Sequence, residues 1–256
     1  MTQWPADVLT LAIDIGGSGI KASVIDKSGE MICERIRIET PYPSYPETFS
    51  DVVADFVKDL PKAHRASVGF PGLVRDGIVV MVPSLSRKIK NGPREPELIE
   101  KWLNFDLQTP LQKALAIPTK VANDADIQGA AVISGKGLEF VMTLGTGVGT
   151  ALFQNGQLLP HLELGHTPFR QNETFEEQIG NAAREHIGVA RWTKRVLKAI
   201  SKYDQFLFFD HCYVGGGNAK HLKGLELGNN VSRVSNKAGI YGGARLWDLD
   251  EEEVNI

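Results

Sequence analysis

The chain has 256 residues, of which 42% are hydrophobic and 23% charged, and its formal net charge is −3. This composition is typical of a globular protein with a substantial core, and the length suits two small domains. The slightly acidic balance argues against a nucleic-acid partner, since nucleic-acid-binding domains are usually basic. Only two cysteines occur, Cys33 and Cys212, which excludes a disulfide framework. Without a signal-peptide pattern or an apolar run of about 20 residues, the sequence predicts a cytoplasmic protein with no membrane partner.

The first half of the chain begins with strands. Residues 8–15 are almost wholly apolar until Asp14, as in a strand buried on both faces. A helix is predicted after the proline-rich segment 42–46, because apolar residues recur at helical spacing from Phe49 to Leu60. Further strands are predicted over 21–26, 31–38, 66–70, 77–82 and 119–122, with helices over 97–103 and 107–116. The basic, proline-rich segment 83–96 receives no assigned role.

The second half repeats this order. Strands are predicted over 140–144, 149–153, 157–159 and 206–214, with helices over 173–186, 189–202 and 238–248. Asn155-Gly156 is a strong hairpin-turn signal. Because each half begins with strands and a glycine-rich turn, the sequence predicts an α/β protein of two lobes with a cleft between them. The predicted lobes are 1–117 and 118–256, with a last helix that packs back on the first lobe.

Three glycines lie close together at the end of the first strand, in the segment Asp14–Lys21. Such a turn lets backbone N–H groups approach an anion, and a serine and a lysine there add donors. Asp14 would stand near the phosphates, where it could hold Mg²⁺ or a water. On this turn alone, a plain hairpin with a solvated lysine is the favoured alternative. The phosphate-binding candidates are Asp14, Gly16, Gly17, Ser18, Gly19 and Lys21.

A second glycine-rich turn lies in the segment Leu144–Gly149. A strand and a turn follow it, not a helix, which disfavours a dinucleotide site of the Rossmann type. Two strand–glycine–strand turns imply a ligand whose phosphates are held from both lobes. A third glycine cluster, 215–217, either opens a helix that packs against a nucleotide or is a simple strand-to-helix turn. The candidates here are Gly145, Thr146, Gly147, Gly216 and Gly217.

Two polar segments could contact an acceptor. Asn123 and Asp124 lie where a strand ends and a helix begins, so they could cap the helix, or Asp124 could accept the proton of an attacking hydroxyl. Glu163 and His166, with a glycine between them, could form a turn that hydrogen-bonds vicinal hydroxyls. Taken alone, that pair is more often a surface or capping pair.

Together these segments resemble the ROK family of the actin-like ATPase superfamily, over nearly the whole chain. The family's phosphate loop resembles 14–21, and its sugar-contact turn resembles Gly69–Gly72. Its catalytic Asn-Asp pair resembles 123–124, and its glycine-rich hairpin ending in E-x-G-H resembles 143–166. The adenosine-side turn resembles 214–218. The resemblance implies a two-lobe, ribonuclease H-like fold and a sugar kinase that acts as a homodimer.

The resemblance also implies roles for individual residues. Asp124 would be the general base, Mg²⁺ would accompany the donor phosphates, and the expected acceptor is a hexose, with the 6-hydroxyl of glucose expected. The implied substrate-binding residues are Gly72, Asn123, Glu163 and His166. Residues 167–185 contain neither Cys nor His, so we expect no structural zinc, unlike in many family members. An asparagine that the family usually places after the strand near residue 82 is missing, because Ser84 and its neighbours stand there.

The phosphoryl donor is expected to be polyphosphate, ATP or both. Zinc-free members of the family include the polyphosphate glucokinases, which this sequence resembles most. The resemblance extends to a predicted helix whose basic residues share one face. That basic stripe could follow a polyanionic donor, although a charged helix face is usually just solvated. Its residues are Arg191, Arg195, Lys198 and Lys202.

Three other functions compete with a kinase. A sugar-sensing regulator of the same family would carry a helix-turn-helix segment, and seven residues before the first strand are too few for one. A sugar-binding protein without catalysis would not need Asp14, Asp124 and both glycine-rich turns. A polyphosphate phosphohydrolase of the same superfamily would not need Glu163 and His166.

Overall fold

The computed structural model describes residues 4–234 and 238–248, and the chain divides into two units. The first unit consists of two segments of the chain, the residues up to Ala131 and those from Gly239 onward. The second unit is Val132–Ala238. The predicted boundary after residue 117 therefore differs from this division. The reason is that the strand over 119–123 pairs in parallel with the strand over 65–70 and so belongs to the first unit's sheet.

The first unit is built on a five-stranded sheet of order β3-β2-β1-β4-β8. Strands β1, β2 and β3 form an antiparallel meander, while β4 and β8 continue the sheet in parallel with β1. The elements of this unit are β1 (Thr10–Gly16), β2 (Gly19–Ile25), β3 (Ile36–Ile38), α1 (Pro46–Val57), β4 (Arg65–Phe70), β5 (Leu73–Arg75), β6 (Ile78–Met81), α2 (Pro96–Trp102), β7 (Phe105–Asp106), α3 (Gln108–Leu115), β8 (Thr119–Asn123), α4 (Asp124–Ala130) and α8 (Ala238–Arg245).

Helix α8 returns to the first unit's sheet. Gly243 permits the close approach, because a Cβ atom there would lie 3.2 Å from the Ala12 Cβ atom. The last carbonyls of a helix lack partners within the helix, and cations near them are favourable. Ser67 Oγ donates to the Gly243 carbonyl at 2.6 Å, and the buried Arg65 donates to the Ala244 carbonyl at 3.1 Å. Side chains of the sheet therefore cap the end of this helix.

The second unit has its own five-stranded sheet of order β11-β10-β9-β14-β15. Its longest helix, α7 (Val189–Leu207), buries Trp192, Val196 and Tyr203 against the sheet. The Tyr203 ring also stacks on the ring of Phe175. The elements are β9 (Leu138–Leu144), β10 (Val148–Gln154), β11 (Gln157–Leu158), a 3₁₀ turn (Leu164–His166), β12 (Pro168–Arg170), β13 (Glu173–Thr174), α5 (Phe175–Ile179), α6 (Asn181–Ile187), α7 (Val189–Leu207), β14 (His211–Gly215), a 3₁₀ segment (Gly217–Leu222) and β15 (Val231–Arg233).

Most predicted elements are present, and three differ. The strand predicted over 31–38 is reduced to β3, and the helix predicted over 173–186 is broken at Gly180 into α5 and α6. The strand predicted from residue 206 begins only at His211, because α7 continues to Leu207 and ends at Phe208 in the left-handed conformation. The Asn155-Gly156 turn is confirmed, with φ of 51° and 85°, as a type I′ hairpin requires. None of the helices described is long and apolar enough to cross a membrane.

Candidate active site

Three parallel strands of the first unit end at the same edge of its sheet. Asp14 of β1 is in register with Gly69 of β4, and Gly69 is in register with Ala122 of β8. The carboxyl ends of parallel strands are where α/β proteins commonly bind ligands. The segments that continue these strands, which carry Gly72 and Asp124, therefore begin at the edge where Asp14 lies.

Gly69 lets the start of α4 lie over this edge. A Cβ atom at position 69 would be 3.7 Å from the Asp124 Cα atom and 3.4 Å from the Ile127 side chain. Side chains of in-register residues on parallel strands point to the same face of a sheet. Asp14 therefore projects from the face on which α4 begins, and the structure brings the two predicted carboxylates, Asp14 and Asp124, to one place.

The first glycine-rich turn is a hairpin held by side chains of its own unit. Asp14 faces Lys21 across β1 and β2, and Lys21 Nζ lies 2.9 Å from Asp14 Oδ2, with both side chains partly exposed. Gly16, Gly17, Ser18 and Gly19 form the tip. The Tyr42 hydroxyl donates to the Gly17 carbonyl at 2.7 Å. Thr40 and Arg37 donate to the carbonyls of Gly16 and Ser18, respectively. Because these three carbonyls accept hydrogen bonds from side chains outside the turn, the turn is held in one conformation.

Asn123 caps α4, as one of the two sequence-based alternatives states. Its Oδ1 accepts a hydrogen bond from the Ala125 backbone N–H at 2.7 Å, and its Nδ2 donates to the Gly72 carbonyl at 2.8 Å. Gly72 is buried, and a Cβ atom there would clash with the Met81 carbonyl oxygen. Asn123 thus fixes both the Gly72 turn and the first residue of α4, which is Asp124. Direct sugar contact by Asn123 or Gly72 stays a prediction.

The second glycine-rich turn is open at Gly145, whereas a Cβ atom at Gly147 would clash with the Glu176 carboxylate. Three residues, Gly145, Thr146 and Gly147, join β9 to β10, and no heavy atom would lie within 4 Å of a Cβ atom at Gly145. The turn is held from one side: Asn218 donates to the Gly145 carbonyl at 3.0 Å, and the Asn181 backbone N–H donates to the Thr146 carbonyl at 3.1 Å. This geometry leaves backbone around Gly145 accessible to a ligand.

Gly216 lies directly behind this turn. Its φ of 84° is in the left-handed region that favours glycine, and a Cβ atom there would clash with the Leu144 backbone. Gly217 then begins a 3₁₀ segment that carries Asn218. Gly216 and Gly217 therefore lie next to Gly145–Gly147, within one cluster of the second unit.

The Glu163–His166 segment is a 3₁₀ turn fixed by β10 and α7. Thr150 of β10 donates to the Leu162 carbonyl at 2.8 Å, and the Tyr203 hydroxyl of α7 donates to the Leu164 carbonyl at 3.1 Å. A Cβ atom at Gly165 would clash with the Val148 carbonyl. The spacing between Glu163 and His166 is thus held by close backbone packing.

A second histidine, His161, accompanies Glu163. His161 is buried, and its Nε2 lies 3.6 Å from Glu163 Oε1. Burial of Glu163 opposes ionisation, but hydrogen bonding to His161 and the positive charges of His161 and His166 outweigh it, so the pKa of Glu163 is lowered. His166 itself is exposed, with Nε2 3.8 Å from Glu176 Oε1. Glu163 is therefore an ionised acceptor facing two imidazoles.

Three residues that contact these turns were not predicted to belong to the site: His161, Tyr42 and Ser84. His161 lies two positions before Glu163 and could have been found as part of one H-x-E-x-x-H segment. Tyr42 was assigned only to a proline-rich break. Ser84 was noted for the asparagine it replaces, and it packs on the phosphate loop, since a Cβ atom at Gly17 would lie 2.9 Å from the Ser84 Cβ atom.

Within residues 4–234 and 238–248, no group of three or more His, Cys, Asp or Glu side chains is arranged to hold a metal ion. The expected absence of structural zinc stays a prediction. The carboxylates at the first unit's sheet edge, Asp14 and Asp124, are oxygen donors of the kind that Mg²⁺ prefers.

Comparison with known proteins places these features in a family. The model of the ROK family matches residues 10–182. The chain is 29% identical over 248 residues to a polyphosphate glucokinase of Mycobacterium tuberculosis, covering 91% of this chain and 88% of that protein. Among solved structures, an inorganic polyphosphate/ATP-glucomannokinase from Arthrobacter sp. strain KM matches with a TM-score of 0.78 and 30% identity, covering 96% of this chain and 100% of that one.

A more distant structure, a ROK family glucokinase from Streptomyces griseus, has a TM-score of 0.68 at 18% identity and covers 93% of this chain and 98% of that one. At that identity it shows the fold alone, and the predicted α/β fold of actin-like ATPases is confirmed. With a family model that matches most of its length, and with the glycine-rich turns and the E-x-G-H turn placed as described, this chain belongs to the ROK family.

Proposed function

We propose that this protein is a glucokinase-type phosphotransferase that moves a phosphoryl group from polyphosphate or ATP to a hexose, with the 6-hydroxyl of glucose as acceptor. The observation that carries the proposal is the sheet edge at which Asp14 and Asp124 come together through strand register and Gly69. The kinases named among its relatives support the reaction class.

In the proposed reaction Asp124 is the general base. Its carboxylate accepts the proton of the acceptor hydroxyl while the hydroxyl oxygen forms a bond to the terminal phosphorus of the donor. The bond from that phosphorus to the bridging oxygen breaks, and the shortened donor leaves with the electron pair. General-base catalysis of this kind contributes about 10²–10⁴ in rate. Asn123 supports the role because it caps α4 and so fixes the backbone from which Asp124 projects.

The hexose hydroxyls are assigned to Glu163, His166, Asn123 and Gly72. Ionised Glu163 would accept hydrogen bonds from two vicinal hydroxyls, and an imidazole can donate or accept. His161 Nε2 lies 3.6 Å from Glu163 Oε1, close enough to influence the orientation of the carboxylate, so we add His161 as a positioning residue. The close packing of Gly165 on β10 holds the Glu163–His166 turn rigid, which favours discrimination between hexoses.

The donor phosphates are assigned to the two glycine-rich turns and to Lys21. Phosphoryl transfer depends mainly on positioning and on neutralising charge. Mg²⁺ usually binds through one or two carboxylates and the substrate phosphates, and Asp14 fits because the Lys21 hydrogen bond at 2.9 Å uses one of its two oxygens. Asp14 would hold the ion directly or through water, and the ion would supply charge neutralisation at the transferred group.

Polyphosphate is proposed as a donor beside ATP because of what the relatives are named. One is a polyphosphate glucokinase, and the structural neighbour is a polyphosphate/ATP-glucomannokinase. A homodimer in the cytoplasm stays a prediction from the family resemblance.

The test is a matrix of donors and sugars. Purified protein with Mg²⁺ is incubated with glucose, mannose or N-acetylmannosamine and with ATP or tripolyphosphate, and sugar phosphate is quantified. We expect glucose 6-phosphate with at least one donor. No sugar phosphate with any pair would overturn the proposal. Release of phosphate without sugar phosphate would favour a phosphohydrolase, and sugar binding without either would favour a regulator.

A further inference from the structure

The exposed face of α7 carries a stripe of basic residues. The basic stripe comprises the four residues identified from the sequence and one more, Lys194. Its members are Arg191, Lys194, Arg195, Lys198 and Lys202. At 100° per residue these five positions fall within about 100° of arc. The buried residues, among them Trp192, Val196 and Tyr203, lie on the opposite side of the helix. The stripe therefore faces away from the second unit's core.

The stripe is uniform in sign and accessible. Four of its five residues are exposed, and Arg195, which is partly buried, donates to the Gln178 carbonyl at 3.4 Å. The remaining position within its arc, Gln205, is uncharged, and so is Ser201 at its border. Surface helices usually alternate charges along a face. A run of one sign along α7 favours a polyanion over simple solvation.

Contacts between residues of the second unit connect α7, the helix that carries the stripe, with the glycine-rich turn at Gly145. Asn218 contacts both the Gly145 carbonyl and Asn181 Oδ1, and Arg184 donates to the same Asn181 oxygen at 2.8 Å. The other end of the Arg184 guanidinium lies 3.1 Å from His221 Nε2, and the His221 ring packs edge-on against Trp192 in the first turn of α7. Arg184 therefore lies between the turn and the beginning of α7.

His221 supports the placement of Arg184. Burial lowers the pKa of His221, and the charges of Arg184 and Lys220 lower it further, so the imidazole is neutral near pH 7. A neutral imidazole can accept a hydrogen bond from Arg184, with the tautomer that leaves Nε2 unprotonated. The guanidinium is thus held by Asn181 and His221, and it also pairs with Glu185, whose Oε1 lies 3.5 Å from Arg184 Nη2.

We propose that the basic stripe binds the distal part of a long polyphosphate chain whose reacting end lies at Gly145–Gly147, with Arg184 contacting the phosphates between them. This inference rests on the proposed use of polyphosphate as a donor. From Arg191 to Lys202 the helix rises about 16 Å. A triphosphate is too short to span this length beyond the turn, so the stripe would act only on long chains. A nucleic acid is the weaker candidate because the whole chain is acidic, with a net charge of −3.

The test compares two variants with equal loss of charge. The stripe variant carries Arg191→Gln, Lys194→Gln, Lys198→Gln and Lys202→Gln, and it retains Arg195 because of its contact with Gln178. The control variant carries Lys27→Gln, Lys62→Gln, Lys90→Gln and Lys113→Gln, four exposed lysines of the first unit. Equilibrium binding of long-chain polyphosphate is measured at two salt concentrations, and KM is measured for long-chain polyphosphate, tripolyphosphate and ATP.

We expect the stripe variant to bind long chains about tenfold more weakly, with a shallower salt dependence, and to raise KM for long chains alone. The control variant should match the wild type. Equal losses in both variants, or an unchanged stripe variant, would overturn the inference. So would displacement of long polyphosphate by RNA of equal charge at the same concentration.

The donor proposal is judged separately, by the wild type with tripolyphosphate. Binding of long chains at the stripe without turnover of any polyphosphate would contradict the proposed use of polyphosphate as a donor and support the proposed binding surface. Turnover of polyphosphate with no effect of the stripe variant would support polyphosphate as a donor and contradict the proposed binding surface. A wild type that neither binds nor uses long chains would overturn both.

Discussion

The two glycine-rich turns have similar sequences and different surroundings. In the first unit, the turn at Gly16–Gly19 is packed from behind by Tyr42 and Ser84, and it carries its own charged pair, Asp14 and Lys21. In the second unit, the turn at Gly145–Gly147 carries no charged side chain, and one glycine has open space around its Cβ position.

From this difference we infer that the two turns have different roles. The packed turn positions charged groups at a sheet edge, next to Asp124, and so it is suited to the chemistry of transfer. The open turn offers backbone N–H groups and accessible space, and so it is suited to holding donor phosphates. The comparison predicts that substitutions in the first unit affect kcat, whereas substitutions at the open turn affect the KM of the donor.

The largest expected effect is that of Asp124→Asn. Loss of the general base should lower kcat by about 10²–10⁴ while the KM for glucose changes little, because the amide keeps the size of the side chain. Asp55→Asn, at an exposed position of α1, is the control and should leave kcat unchanged. Steady-state kinetics with both donors provide the measurement, and a kcat near that of the wild type would remove Asp124 from its role.

Alanine substitutions at the two turns test the comparison directly. Gly145→Ala places a Cβ atom in open space, so stability should change by less than about 0.5 kcal/mol. Its methyl group would obstruct a phosphate, and we expect donor KM to rise about tenfold, as for one lost hydrogen bond to a charged group.

We expect the reverse for Gly17→Ala, which should lower stability and change donor KM little. Its Cβ atom would lie 2.9 Å from the Ser84 Cβ atom, and such overpacking costs about 1–3 kcal/mol of unfolding free energy. Urea unfolding and donor kinetics of both variants separate the two effects. If Gly145→Ala were the less stable variant, the description of one turn as packed and the other as open would fail.

A smaller effect is expected at Tyr203→Phe. The buried hydroxyl donates to the Leu164 carbonyl at 3.1 Å, and its removal should cost about 1 kcal/mol in urea unfolding. Because Leu164 follows Glu163, the KM for glucose should rise modestly while donor KM is unchanged. Tyr45→Phe, at a partly exposed ring, is the matched control. An unaltered glucose KM would show that the turn does not depend on this bond.

The smallest effect is the pH dependence carried by Glu163. Its pKa in the folded protein is lowered, so its contribution to stability is present above its ordinary value of 4.5 and is lost as the pH falls through the lower folded value. The difference in urea midpoint between the wild type and Glu163→Gln should therefore shrink as the pH is lowered from 7 to below 4.5. A difference that grows in acid would contradict the assigned pairing with His161.

The sequence by itself determined the strands, the turns that join them and the order of the motifs. Glycine-rich turns, the Asn155-Gly156 hairpin and the apolar face of α1 are encoded locally, by backbone permissiveness and by periodicity. The carboxylate pair was also predictable, because both residues follow parallel strands whose carboxyl ends share one edge of the sheet.

Only the tertiary structure decided what surrounds these motifs. That Asn123 joins α4 to Gly72, that Gly69 makes room for Asp124, and that Tyr42 holds the first turn all depend on contacts between residues far apart in sequence. The division between the two units depends on the same kind of contact, since the pairing of β8 with β4 is long-range. Local patterns specify where the glycine-rich turns form and which of them carries charged residues, whereas packing decides which glycines are enclosed and which stay open.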